Sequence, residues 1–172
     1  LAEALVEINP WADMVRFART GGEINSVAIR IARAYSGKDK IAMCGYHGWH
    51  DWYLSANLNH DKNLDGHLLP GLEPNGVPRG LLGTTLPFDY NNIDQLERLI
   101  KSNHGDIAAI KMEVSRTGEP NNNFLKKVRD LATENNIILI FDECTSGFRE
   151  TFGGLHKKYD VEPDMAIYGK AL

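Results

Sequence analysis

The run Ile137-Ile138-Leu139-Ile140-Phe141 is wholly apolar and ends on Asp142-Glu143. It reads as a strand buried on both faces. Largely apolar runs recur at Lys40 to Cys44, Ile107 to Met112 and Met165 to Tyr168. Between them the apolar residues fall at helical spacing: Ile24, Val27, Ala28, Ile31, Ala32 and Tyr35, then Ile93 to Ile100, then Phe124 to Glu134. Strands that alternate with helices, and are largely apolar, predict an α/β fold with a mainly parallel sheet and helices on both faces.

Gly21-Gly22 precede the first of these long helices, and Ser36-Gly37 follow it as a stop signal. Leu1, Leu5 and Ile8 predict one more helix at the start. The region from His47 to Leu86 is rich in Gly, Pro, Asn and His, which predicts long loops with one short helix. Extended irregular segments in a domain usually serve function. The chain opens without Met, inside a helix, and closes two residues after Lys170, so we expect a segment of a larger protein.

At 172 residues the chain suits one domain with a core of its own. A net charge of −4 with mixed signs offers no basic footprint for nucleic acid. No stretch approaches the ~18 apolar residues of a membrane span. Cys44 and Cys144 match no metal or redox spacing, and a reducing, cytoplasmic setting is the simplest expectation.

In open parallel sheets ligands sit beyond the carboxyl ends of the strands. Four such ends carry chemistry: Tyr46-His47-Gly48, Glu113, Asp142-Glu143 and Lys170. The Asp142 carboxylate starts at the edge of a desolvated strand and needs a cation or several donors to stay ionised. Taken alone, an aspartate there is more often a turn or cap residue. Lys170 follows an apolar strand through one glycine. A lysine in apolar surroundings has a lowered pKa and can act as an amine nucleophile, although most strand-end lysines are simply exposed. Gly21-Gly22 at a helix start can offer backbone N–H groups to a phosphate, a weak pattern by itself. No G-x-G-x-x-G or G-K-[ST] is present. Together, a phosphate cradle, an aromatic, a carboxylate and a lysine on separate strand ends are what pyridoxal 5'-phosphate needs.

At this point the chain resembles the class III, fold-type I aminotransferases, and among them the glutamate-1-semialdehyde aminomutases in particular. Val15-Arg16-Phe17 with Thr20-Gly21-Gly22-Glu23 is similar to the family's phosphate-binding turn, and Ala28 to Tyr35 to its helix. Tyr46-His47-Gly48 looks like its aromatic motif. Phe141-Asp142-Glu143, Gly147-Phe148-Arg149, Phe152-Gly153-Gly154, Pro163-Asp164 and Gly169-Lys170 follow in the family's order, and the Asp142 to Lys170 segment is highly specific.

The resemblance implies a pyridoxal-phosphate enzyme that moves an amino group from a small-molecule donor to a carbonyl acceptor, or between neighbouring carbons of one molecule. It makes Lys170 the Schiff-base lysine and proton shuttle, and Asp142 the partner of the pyridinium nitrogen. Tyr46 stacks on one face of the ring, with Cys144 near the other. Gly21 and Gly22 hold the phosphate, Glu113 and Glu143 lie near the ring, and His47 belongs to the same pocket. Family members are over twice this length and dimeric. Residues 1–172 are therefore expected to be an incomplete large, cofactor-binding domain, without the N-terminal segment and the C-terminal small domain, in a homodimer. Three positions depart from the family: Gly22 stands for a hydroxyl residue, Val114 for a proline and Cys144 for a valine.

Two other readings compete. His47, His50, His60 and His67, with Asp51, Asp61 and Asp65, are numerous enough for metal ligands, but their spacing matches no closed zinc pattern. Loop histidines capping turns are the plainer explanation. A non-catalytic relative could keep the fold as a binding module, but sheet packing needs neither Asp142 nor Lys170. Arg116 and Arg149 are candidates for a substrate carboxylate. Trp11, Trp49 and Trp52 read as core or pocket walls before they read as an interface.

Overall fold

The computed structural model describes residues 1–67, 69–116 and 118–172. Five strands form one parallel sheet: β1 (Lys40–Cys44), β2 (Thr85–Pro87), β3 (Ile107–Glu113), β4 (Ile138–Glu143) and β5 (Met165–Tyr168). Their order is β2-β1-β3-β4-β5. Every neighbouring pair runs parallel, so all five carboxyl ends emerge along one edge.

Strand side chains alternate between the two faces. On one face Ile41, Met43, Ala109, Ile140 and Ile167 pack under the helix α2 (Gly21–Ser36) through Ala28, Ile29 and Ala32. On the other, Ala42, Ile110, Met112, Leu139 and Phe141 meet α4 (Ile93–Ser102) and α5 (Phe124–Glu134) through Leu96, Ile100, Leu125, Val128 and Ala132. Each fully buried Leu, Ile or Phe on these faces contributes about 2 kcal/mol. Helices therefore cover both faces, as the apolar strands predicted.

α2 begins at Gly21, so the two glycines form its first turn and do not precede it. The Thr20 hydroxyl accepts the Glu23 amide at 3.1 Å, and the Glu23 carboxylate accepts the Arg19 amide at 2.9 Å. At the far end Gly37, at φ +68°, turns left-handed and donates to the Arg33 carbonyl.

The start holds the helix expected there, and the region predicted as long loops with one short helix holds that helix together with 3-10 turns and a strand. A first short helix, α1 (Ala2–Ile8), opens the chain, and α3 (Asp51–Leu54) continues as a 3-10 turn to Leu58. Trp52, Tyr53, Leu54, Ala56, Leu64 and Val77 join the core beneath α2. The region also yields β2, a strand of three residues that the alternation did not reveal. β2 lies at the sheet edge, where Pro87, lacking an N–H, is tolerated.

Candidate active site

Asp142 is the penultimate residue of β4 and is 5% exposed. Its Oδ2 accepts Asn25 Nδ2 at 2.9 Å and faces His47 Nδ1 at 2.9 Å, and its Oδ1 accepts the Cys144 amide at 3.1 Å. Asn25 also donates to the Gly21 carbonyl at 2.8 Å, which ties the first turn of α2 to the carboxylate. Burial alone would raise the Asp142 carboxyl. The charge of Lys111 and the His47 hydrogen bond outweigh it and hold the group well below the usual carboxylate range. Asp142 is an anion at neutral pH.

Lys111 is the residue that sequence reasoning missed. It lies on β3, wholly buried, with Nζ 3.4 Å from Asp142 Oδ2 and not aligned for a hydrogen bond. Burial pulls its amine below the ordinary lysine value, and Asp142 opposes that shift. The signal was a lone lysine inside the apolar run Ile107 to Met112.

His47 is buried between two acceptors, with Nε2 3.0 Å from the Cys44 carbonyl oxygen. Burial, reinforced by the Lys111 charge, lowers its pKa. A neutral His47 has one N–H for these two acceptors, Asp142 Oδ2 at 2.9 Å and the Cys44 carbonyl at 3.0 Å. The ring stacks near Trp52 and meets Tyr53 edge-on. Tyr46, half-buried, leans edge-on against Tyr53 with centroids 5.7 Å apart, and its amide donates to Glu113 Oε2 at 3.2 Å. Glu113 is also ion-paired with Arg116.

The first turn of α2 closes the arrangement. Gly21 and Gly22 N–H groups have no intrahelical acceptor. A Cβ on Gly21 would lie 3.5 Å from Cys144 Sγ, and so would one on Gly169. The helix start, the end of β4 and the end of β5 therefore converge on Cys144. A Cβ on Gly22 would stand 2.6 Å from His50 Cε1, so the imidazole fills the space of the side chain that Gly22 lacks. Lys170, exposed and left-handed at φ +53°, donates to the Thr145 hydroxyl at 2.7 Å.

Gly21, Gly22, Tyr46, His47, Glu113, Asp142, Cys144 and Lys170 thus gather at one edge of the sheet. Glu143 does not join them. One residue along β4 from Asp142, it turns to the opposite face and accepts the Leu155 and His156 amides at 2.6 and 3.0 Å and faces His156 Nδ1 at 2.6 Å. The other histidines serve separate contacts: His67 accepts the Gly45 amide at 3.1 Å and His60 the Lys62 amide at 3.3 Å. Among the described residues, no three His, Cys, Asp or Glu side chains gather as metal ligands would. Arg149 is exposed, Trp52 is buried, Trp49 is exposed, and Trp11 meets His156 edge-on. Among the described residues no helix is long and apolar enough to cross a membrane.

The family model described as aminotransferase class-III matches residues 1–172. The chain is 36% identical over 180 residues to a 3-aminobutyryl-CoA aminotransferase of Cloacimonas acidaminovorans, covering 100% of this chain and 39% of that one. It is 39% identical over 178 residues to a glutamate-1-semialdehyde 2,1-aminomutase of Methanothermobacter thermautotrophicus, covering 100% and 41%. The chain thus spans about two fifths of the length of these relatives. Among solved structures, an omega-transaminase from Sphaerobacter thermophilus superposes with a TM-score of 0.80 at 32% identity, over 98% of this chain and 40% of that one. A transaminase with PLP bound superposes with a TM-score of 0.81 at 25% identity, over 98% and 39%.

Proposed function

Because the chain belongs to the class-III aminotransferases, we propose that the whole protein moves an amino group from a small-molecule donor to a carbonyl acceptor with pyridoxal 5'-phosphate. In this reading, residues 1–172 are part of its large, cofactor-binding domain. The observation that carries the proposal is Asp142: a buried carboxylate kept ionised by three hydrogen-bond contacts and a lysine, at the strand edge where Lys170 also stands.

The donor set fits the cofactor. An anion suits a protonated ring nitrogen, free helix amides suit a phosphate, and an exposed primary amine suits an aldehyde. When bound, pyridoxal phosphate supplies an electron-withdrawing ring that lets a proton leave the carbon bearing the amino group. Asp142 would hold the ring nitrogen's proton, while Asn25 and His47 fix the carboxylate's direction. Gly21 and Gly22 would donate to the phosphate at the positive end of α2. Tyr46 and Cys144 would bound the two ring faces. The Lys170 amine would hold the cofactor's aldehyde carbon, and its Nζ is the group at this edge that would take up and return a proton.

We read the aminotransferase reaction first and the aminomutase reaction second, since relatives of both names match at similar identity. A homodimer in a reducing, cytoplasmic setting belongs to the same proposal. Both cysteines are free, and Met14, Phe17 and Phe152 expose apolar surface that further chain or a second subunit would cover.

The test is made on the full-length protein, mixed with pyridoxal phosphate and reduced with borohydride before peptide mapping. A pyridoxyl group on Lys170 is expected. A folded protein left unlabelled at Lys170 would overturn the reading and favour the non-catalytic module. Amine exchange between two different molecules, against isomerisation of one, then separates aminotransferase from aminomutase.

A further inference from the structure

We propose that Lys111 competes with the ring nitrogen of the bound cofactor for the single negative charge of Asp142, and so lowers that nitrogen's hold on its proton. The inference rests on the cofactor reading above. It concerns a residue that pairing across the sheet does not require: β3 could be apolar throughout, as β4 is up to Phe141.

The geometry is that of one anion with more claimants than charge. Asp142 Oδ2 already takes Asn25 at 2.9 Å and faces His47 at 2.9 Å, and the Lys111 amine stands 3.4 Å from the same oxygen. Lys111 Nζ has no aligned hydrogen-bond acceptor among the described residues, and its side chain has no exposure at all. An ammonium so placed is held by the Asp142 charge alone.

The groups facing Lys111 come from every element around it. Asp142 and Cys144 stand on and just after β4, Glu113 lies farther along β3, and His47 reaches in from the loop after β1. Asn25 approaches from α2 and carries no charge. Arg116 neutralises Glu113, His47 is neutral through burial and the nearby ammonium, and burial raises the Cys144 thiol. Lys111 and Asp142 are left as the two opposed charges. A proton on the cofactor ring would set a second cation against that carboxylate, and two buried cations disfavour each other. Lys111 is therefore a positioning residue that sets how strongly the ring draws electrons.

The experiment uses full-length protein reconstituted with ring-15N pyridoxal phosphate, with the ring nitrogen followed by NMR across pH. Lys111→Met removes charge and donor. Lys111→Gln keeps a polar donor of similar length and removes only the charge. Both variants are expected to keep the ring proton to a pH about one unit higher than the natural protein does. Titrations that coincide in all three proteins overturn the proposal. A shift in Lys111→Met without one in Lys111→Gln overturns it too, since hydrogen bonding or packing would then be the cause. Loss of folded protein or of cofactor in both variants would make Lys111 a support for Asp142 and not a rival of the ring nitrogen, again overturning the proposal. Borohydride reduction of the same samples separates the two levels: no Lys170 adduct removes the cofactor reading itself, whereas an adduct with coincident titrations removes only the role of Lys111.

Discussion

Asp142 and Glu143 are adjacent on β4, yet their carboxylates serve opposite faces of the sheet. Asp142 looks toward α2, His47 and Lys111, and Glu143 toward His156 and the amides that open the 3-10 turn Leu155–Tyr159. The period of two along a strand separates by one residue a group for chemistry from a group that fastens a turn.

Glu143 is predicted to make the protein's stability depend on pH. Burial raises its carboxyl, but the His156 side chain and the two amides outweigh that and leave it below the ordinary 4.5. The unfolded chain therefore binds more protons in this range, so stability rises with pH. The contribution is complete above about 4.5 and is lost as pH falls through the folded value. Glu143→Gln is expected to cost about 2 kcal/mol at pH 7 and much less at pH 3, read as the gap between urea midpoints.

Asp142→Asn leaves the Lys111 ammonium buried without its anion and is expected to cost about 3 kcal/mol. Adding Lys111→Met should recover much of that loss, because the unpaired charge goes with it. A double-mutant cycle by urea denaturation measures the coupling; strict additivity would refute an energetic link between the two residues.

Gly22 and Gly48 differ in what an added methyl would strike. At Gly22 the obstacle is the exposed His50 ring, which can swing away. At Gly48, with φ +90°, the obstacle is the Gly22 backbone, with Cα 2.8 Å from the added Cβ. Gly22→Ala is expected to cost under about 1 kcal/mol and Gly48→Ala at least about 2, the left-handed backbone adding to the clash. Thermal unfolding of the two variants ranks them.

Both thiols should alkylate slowly near neutral pH. Burial, then the negative charge of Glu113, pushes Cys44 up to about 12; burial, then Asp142, does the same for Cys144. Iodoacetamide at pH 8 followed by mass mapping is expected to leave Cys44 unmodified and to reach the half-buried Cys144 first.

Much of this architecture was readable in the chain. The run Phe124 to Glu134 is helical and Met165 to Tyr168 is a strand, at the boundaries that apolar spacing suggests. Asp142 and Lys170 stood out because polar residues that end apolar strands have no packing role. Thr85–Pro87 was hidden because three residues cannot display a period. Lys111 was hidden because the strand signal came from its neighbours and masked the exception. The contact between His47 and Asp142 spans 95 positions, and no local pattern records which loop returns to which strand end.

The buried ammonium has one more consequence, for how the chain finds its register. Lys111 lies opposite Ile140, and Asp142 is the next β4 side chain on that face. A slip of one residue in one direction would set Phe141 where the ammonium needs its anion. A slip in the other would drive Asp142 into the apolar slot that Phe141 fills beside Leu139 and Val128. Either misalignment strands a charge in hydrocarbon, so the pair acts as a proofreading mark on the alignment of β3 and β4, with or without a cofactor.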